Sequence, residues 1–301
     1  MRLRNLFLLL IAAWVLGAGI SSPTSLTGKD EYFLGLRIPL EMMERDVWWV
    51  PFIDGEPRLK EPPLLYWAGR ASYELQGPSL EAGRDVTLAC ALLLLGATVW
   101  LRRYFGMQGR SGLLAGIALI GMAGLATESR RLMLDVPVAA FSITAFCFYL
   151  DWMRRQRWTS ALGAGIFLCA ALLTKGPIAL VGCGGGILAL WLTWPEMRRL
   201  PLRHPLAHGA MLAMALALPA YWLHYVSTHF GAQLAAATEA ELEARQLSHV
   251  SADALVGILT LALPWTVIAL RALWQRRDEK EVRFLGAWLA ITLLPFCFIN
   301  T

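Results

Sequence analysis

Apolar and polar positions along this chain fall in long blocks rather than in short alternation. Apolar runs occupy Leu6–Ile20, Val86–Leu101, Gly112–Thr127, Pro137–Trp152, Thr159–Thr174, Ile178–Trp194, Ala207–Val226, Ala254–Leu270 and Phe284–Ile299. Uncharged runs of this length predict helices that cross a bilayer. The shorter ones, such as Pro137–Trp152 and Thr159–Thr174, would need flanking residues or locally thinned lipid to span it. The expected fold class is all-α, a polytopic membrane protein with about nine spans.

The ends of the runs set the topology. Arg2 and Arg4 precede the first run, and Arg102-Arg103, Arg154-Arg155-Arg157, Arg198-Arg199-Arg203 and Arg271–Arg283 follow alternate later ones. Loops rich in arginine stay in the cytoplasm. This puts the N-terminus inside and residues 22–85 outside. A cleaved signal peptide ending near Ala18-Gly19-Ile20-Ser21 is the rival reading of the first run, and gives the same side for that loop.

The longest polar stretch is residues 29–67. It holds Tyr32, Phe33, Trp48, Trp49, Tyr66 and Trp67, aromatics suited to a membrane–water boundary. Within the outer loop, Phe33, Leu34, Ile38 and Met42 recur at helical spacing over 30–44. Pro62-Pro63 opens a second helical pattern over 62–76, and Asp54-Gly55 marks a turn between the two. Both helices carry charges and are expected to lie in the interface rather than cross it. A second outer loop, 227–252, is polar through Glu239, Glu241, Glu243 and Arg245 and apolar through Leu234, Leu242 and Leu247. It reads as an ordinary interfacial helix or as a lid with Arg245 facing phosphate.

Composition narrows the chemistry. The chain is 57% hydrophobic and 16% charged, with mean hydropathy +0.51. The net charge of +5 is accounted for by loop arginines and gives no nucleic-acid signal. Cys90, Cys147, Cys169, Cys183 and Cys297 form no CxxC pair and read as small buried residues. The histidines lack the HExxH spacing of a catalytic zinc site. No cofactor is called for, although the outer carboxylates could hold a divalent metal. Gly112, Gly116 and Gly121, and Gly182, Gly184, Gly185 and Gly186, lie inside apolar runs and suit close helix packing.

Ionisable groups at the outer ends of spans are costly, and are usually paired or functional. Asp30-Glu31, Arg58/Lys60/Glu61, Arg130-Arg131 with Asp135, and Lys175 share the outer side in this topology. Lys and Arg supply phosphate contacts, and a carboxylate can take a proton from a hydroxyl. A lipid whose tail stays in the bilayer while its head reacts outside would suit such a site.

Residue patterns add a family. Lys29-Asp30-Glu31-Tyr32 after the first span resembles the acidic start of the first outer loop in GT-C glycosyltransferases. Trp48-Trp49-Val50-Pro51, followed by the stretch Gly55–Trp67, resembles that group's W..P…G.P…KPPL.YW segment. Arg131-Leu132-Met133-Leu134-Asp135-Val136-Pro137 is similar to its R..R.DMP element, Leu173-Thr174-Lys175-Gly176-Pro177 to its LTKGP element, and Pro264-Trp265 to a later PW pair. The order and spacing fit the ArnT-like branch, related to the protein O-mannosyltransferases.

The resemblance implies an inverting glycosyltransferase of the bacterial inner membrane, with its site on the periplasmic side. The donor would be a sugar on a polyprenyl phosphate, and the acceptor a lipid A-like glycolipid or a protein. Asp30 matches the proposed catalytic acid/base and Asp135 a second functional carboxylate, with Glu31 a further catalytic candidate. Arg58, Lys60, Glu61, Tyr66, Arg131, Lys175 and Arg245 are the expected substrate-binding residues. Glu61 stands where a basic residue is usual, so phosphate contact falls to Lys60 or Arg58. The expected organisation is one transmembrane domain over 1–301, without the C-terminal periplasmic domain of longer relatives. A polyprenyl-lipid flippase and a non-catalytic subunit of an envelope complex are the alternatives.

Overall fold

The computed structural model describes residues 3–22, 31–105, 111–244 and 253–297. The first helix, α1 (Leu3–Leu16), leads to a π-helical segment, Glu31–Arg37, that runs on into α2 (Ile38–Glu44). A hairpin of two short strands follows, β1 (Phe52–Ile53) and β2 (Glu56–Pro57), then α3 (Leu64–Gln76) and α4 (Leu80–Leu101). Next come α5 (Ser111–Ile120), α6 (Ala123–Glu128), α7 (Asp135–Arg155), α8 (Trp158–Lys175), α9 (Ala179–Thr193) and α10 (Leu200–Arg203). The remainder is α11 (Pro205–His229), α12 (Gly231–Ala244), α13 (Asp253–Leu261), α14 (Trp265–Gln275) and α15 (Lys280–Leu293).

Among the described residues, four helical stretches have the length and apolar character to cross a membrane: Leu80–Tyr104, Asp135–Arg155, Trp158–Thr193 and Pro205–His229. The third is α8 and α9, between which Gly176 takes φ +61° and Pro177 follows. The chain reverses there, because glycine tolerates the left-handed region that the turn requires. The direction of each helix follows from its contacts with α7. Ser160 Oγ of α8 donates to Asp151 Oδ2 at one end (2.7 Å), and Lys175 meets Asp135 at the other (2.5 Å). α8 is therefore antiparallel to α7. Ser142 Oγ donates to the Ala179 carbonyl, and Gly186 lies against Phe146 farther along, so α9 runs parallel to α7. Tyr149 meets His208 near the start of α11, whose far end brings Trp222 Nε1 to the Trp49 carbonyl.

Two apolar runs that read as continuous spans are interrupted. The run Gly112–Thr127 breaks into α5 and α6 at Gly121-Met122, where Met122 is extended (ψ 125°). The run Ala254–Leu270 breaks between α13 and α14, ahead of the cis Leu263–Pro264 bond. At the second break the ring of Pro264, which has no backbone N–H, cannot continue the ladder. Trp265 of α14 packs beside Gly121, so the two interruptions face each other. α4 starts earlier than the hydrophobic pattern alone suggests. Ser79 caps it by accepting from the Ala82 amide (3.0 Å), which carries the helix back through Arg84 and Asp85.

The glycines behave as packing positions. A Cβ on Gly116 would sit 2.6 Å from Leu8, and one on Gly182 would sit 2.9 Å from Ser142, although Gly184 meets nothing within 4 Å. α1 packs into the bundle through Leu8, Ala12 and Leu16, beside Cys90, Ala91 and Leu95 of α4. The cysteines are free thiols, and Cys90, Cys147 and Cys183 are buried.

Candidate active site at the acidic end of the bundle

Asp135 opens α7 and Lys175 closes α8, so the antiparallel pairing of these helices brings both to the same end. The first long loop folds over that end in two pieces. In the hairpin turn, Asp54 (φ 51°) and Gly55 (φ 86°) both take positive φ, as a two-residue turn requires. Their amides donate to Glu41 at 2.7 Å each, and Arg45 Nε donates to the same carboxylate at 2.9 Å. Burial acts to raise the Glu41 pKa, but the Gly55 and Asp54 amides and Arg45 outweigh it and hold the group below 4.5. Arg70 of α3 ties the other face. It donates to the Met42 carbonyl, Asp46 and Glu74 and stacks on Trp48, 4.2 Å from the ring centroid.

An aromatic cluster joins this loop to α11. Trp49 stacks on Trp67 at 5.4 Å and meets Tyr221 and Tyr225 edge-on, at 5.6 and 6.0 Å. The arrangement agrees with an interfacial loop anchored by aromatic residues.

A narrow cleft of about 140 Å³ lies between these parts. It is lined by Arg58, Lys60, Glu61 and Tyr66 from the first loop, by Asp135, and by Lys175, with Gly35 and the 132–134 backbone on its far wall. Six residues singled out from the sequence thus share one opening. Arg58 Nε is buried and has no hydrogen-bond partner, an unmet donor in a cleft that already holds two lysines. Lys60 pairs with Glu241 of α12 at 2.9 Å, which ties the second loop to the rim. Tyr66 is buried, and both burial and the charge of Glu61 push its pKa upward, so its phenol stays protonated.

Asp135 and Lys175 also face a second, larger space of about 470 Å³. That groove runs down between α7, α9 and α15, past Val138, Ile143, Val181 and Leu285, and is mostly apolar. A charged cleft therefore opens onto a hydrocarbon-lined groove with the Asp135–Lys175 pair at the junction.

Glu31 does not reach the cleft. It is fully buried, and Arg84 Nε and Nη2 donate to its two oxygens at 2.7 and 3.0 Å while the Leu132 amide donates at 3.2 Å. Its carboxylate, expected from the sequence beside Asp30 as a catalytic candidate, is engaged by these partners and not by the cleft. It is instead a tie between the π-helical segment, α4 and the loop leading to Asp135. Gly35 completes that junction: a Cβ there would lie 2.1 Å from the Leu132 carbonyl. Arg131 pairs with Glu128 at 3.0 Å, beside the cleft and not on its lining. Asp30 and Arg245 lie outside the described residues. Among the described residues no group of three or more metal-ligating side chains converges.

Sequence reasoning missed Arg84 and Glu241. Arg84 lies just ahead of an apolar run and looks like a flanking charge. Glu241 is one of several acids in a polar loop, and nothing local marks it as the partner of Lys60.

Known proteins resemble this chain in both sequence and fold. An undecaprenyl phosphate-alpha-4-amino-4-deoxy-L-arabinose arabinosyl transferase from Yersinia enterocolitica is 26% identical over 278 residues, covering 86% of this chain and 49% of that protein. The chain thus spans about half the length of this curated relative. ArnT from Cupriavidus metallidurans superposes with a TM-score of 0.80 in its undecaprenyl phosphate-bound structure, at 20% identity over 98% of this chain and 56% of that one. Its apo structure gives 0.78 at 21% identity, over 96% and 54%. An oligosaccharyltransferase from Archaeoglobus fulgidus gives 0.60 at 12% identity, over 98% of this chain and 48% of that one. These structures share the fold. The sequence profile described as dolichyl-phosphate-mannose-protein mannosyltransferase matches residues 32–231, most of the chain and all of the cleft, and this multi-pass membrane protein belongs to that family.

Proposed function

We propose that this chain forms the membrane core of a glycosyltransferase that takes a sugar from a polyprenyl phosphate and passes it to a hydroxyl of an envelope acceptor. The observation that carries the reading is the junction at Asp135 and Lys175. A cleft with Arg58, Lys60 and Lys175 on its walls meets an apolar groove long enough to shelter part of a lipid tail. A phosphodiester headed by a sugar and tailed by hydrocarbon needs both environments side by side. The arginine-rich helix ends lie opposite, so this end is assigned to the periplasmic side. In this proposal the 22–85 loop roofs the site and the 227–252 loop covers it, and Arg245 is assigned to the phosphate by its place in the sequence.

In this reading, Arg58 and Lys175 hold the phosphate. The acceptor oxygen bonds to the anomeric carbon as the carbon–oxygen bond to phosphate breaks. The bonding pair leaves on the phosphate oxygen, where the cations stabilise the added charge. The acceptor proton passes to a carboxylate, assigned to Asp30, with Asp135 placing Lys175 and the sugar. Inversion follows from the single displacement. The acceptor is a lipid A-like glycolipid or a protein.

Donor binding tests the reading without requiring the acceptor. Purified chain should bind undecaprenyl phosphate in a detergent titration. Arg58→Ala and Lys175→Gln should each weaken binding by roughly tenfold or more, the scale of a charge-assisted hydrogen bond. Lack of binding by the folded wild-type chain, or unchanged affinity in both variants, would overturn it. Asp30→Asn should leave binding intact and abolish transfer.

A further inference from the structure

The opposite end of the bundle carries a cleft that the transfer reaction does not use. It has a volume of about 400 Å³ and lies where the end of α4, the end of α7, the end of α9 and the start of α15 meet. Leu150, Met197 and Leu200 give it an apolar floor, and Trp194 and Tyr104 add aromatic walls. Arg203, His204 and Glu281 also line it, so a guanidinium and a carboxylate share the cleft.

The charges are not spent on each other. Arg154, also on the lining, donates to the carbonyls of Arg103 and Tyr104 at 2.8 and 3.0 Å and stacks over the Tyr104 ring. Arg203, by contrast, makes no ion pair or side-chain hydrogen bond among the described residues, and neither does Glu281. The place of Glu281 in the first turn of α15 suits the helix dipole. That accounts for an acid at this position but not for a guanidinium on the same cleft. Basic pockets between helices at a membrane surface take phospholipid head groups. A purely cationic pocket would suit any acidic lipid, whereas this one presents a carboxylate as well.

We propose that this cleft binds a glycerophospholipid with a primary-ammonium head group, of the phosphatidylethanolamine type. Its phosphate sits against Arg203 and His204. Its ammonium donates to Glu281 beside the ring of Trp194, which favours a cation over its face. The first carbons of the acyl chains lie on the leucine and methionine floor. A choline head group has no N–H to donate to Glu281, and a glycerol head group would leave that carboxylate unpaired beside an anion.

Native mass spectrometry of the full chain, delipidated and then titrated with defined phospholipids, tests this. The wild type should retain phosphatidylethanolamine about tenfold more tightly than phosphatidylglycerol or phosphatidylcholine, the factor expected of one charge-assisted contact. Glu281→Gln should remove that preference while leaving phosphatidylglycerol binding equal or stronger. Arg203→Ser should weaken all three. Thermal unfolding of each variant controls for folding, since both residues lie at the bundle's surface. Equal retention of the three lipids by the wild type, or an unchanged preference in folded Glu281→Gln, overturns the proposal.

Discussion

The two ends of α7 differ in how their charges are held. At the Asp135 end, four ion pairs join residues far apart in the chain, Glu31 with Arg84, Asp46 with Arg70, Asp135 with Lys175 and Lys60 with Glu241, beside local pairs such as Glu41 with Arg45 and Arg70 with Glu74. At the Arg155 end the pairs join neighbours on one turn, such as Asp151 with Arg155 and Arg276 with Glu279. Long-range pairs exist only once the tertiary fold is made, so they fix the geometry of the surface they cross. Local pairs, within α7 or in the turn between α14 and α15, need no tertiary fold and fix little. The first end is built as a rigid site. The second carries its charge in local pairs, with a cleft set among its arginines.

The largest expected effect breaks the contrast at its most buried pair. Glu31→Ala leaves Arg84 fully buried without its carboxylate, a change that costs about 3–5 kcal/mol. It also frees the Leu132 amide, so the loop before Asp135 loses its tether. Thermal unfolding in detergent should fall steeply, and donor binding should fall with it. The double variant Glu31→Leu/Arg84→Met should recover much of the stability, because an apolar pair of similar volume avoids desolvating two charges. Should the single variant unfold like wild type, the pair holds nothing together. Gly35→Ala comes next. Its Cβ would meet the Leu132 carbonyl at 2.1 Å, which backbone must move to relieve, at a cost of about 1–3 kcal/mol. Unlike Glu31→Ala it keeps every charge. A loss of donor binding here would therefore show that spacing, and not charge, sets the cleft.

A smaller effect is expected from acid. Glu41 is held below 4.5 by the amides of Asp54 and Gly55 and by Arg45. A carboxylate lowered in the folded state stabilises it above its unfolded pKa, and that contribution is lost as pH falls through the folded value. The hairpin should therefore loosen only in acid, as pH falls through that lowered value. Protection of the Asp54 and Gly55 amides, taken relative to intrinsic exchange at each pH, should be high near neutrality and fall in acid ahead of that of the helices. Glu41→Gln should show low protection at both amides at every pH. Protection that falls equally across the helices would assign the acid response elsewhere.

Much of this arrangement could be read from the chain, because some signals are local. Asp54-Gly55 predicts its turn through the positive φ values both residues adopt. Pro62-Pro63 predicts α3, and the KEPPLLYW and LTKGP stretches supply Lys60, Glu61, Leu65, Tyr66 and Lys175 to the cleft. What was not legible depends on contacts across the fold. Hydropathy places Arg84 outside a span, because a window cannot distinguish a flanking arginine from one neutralised by Glu31. For the same reason Glu31, adjacent to Asp30, looks like a reacting group. Hydropathy also runs through Gly121-Met122 and Pro264 without pause, since an interruption changes backbone geometry while leaving the side chains apolar.

The smallest effect is expected at the arginine-rich end, and it sharpens the comparison most directly. Arg276 and Glu279 form a two-pronged pair, with Nε to Oε1 and Nη2 to Oε2 each at 2.7 Å. By distance alone it rivals Glu31–Arg84. Its side chains, however, are 62% and 45% exposed, and the partners stand three residues apart. Water and salt screen such a pair, and holding both side chains costs entropy, which leaves a net of about 0.2–0.5 kcal/mol. Arg276→Gln should shift thermal unfolding by little, with the remaining difference vanishing as salt is raised. Donor binding at the far end should be unchanged. A loss above about 1 kcal/mol that persists in high salt would mean that ion-pair geometry, and not burial and sequence separation, decides which charges hold this molecule together.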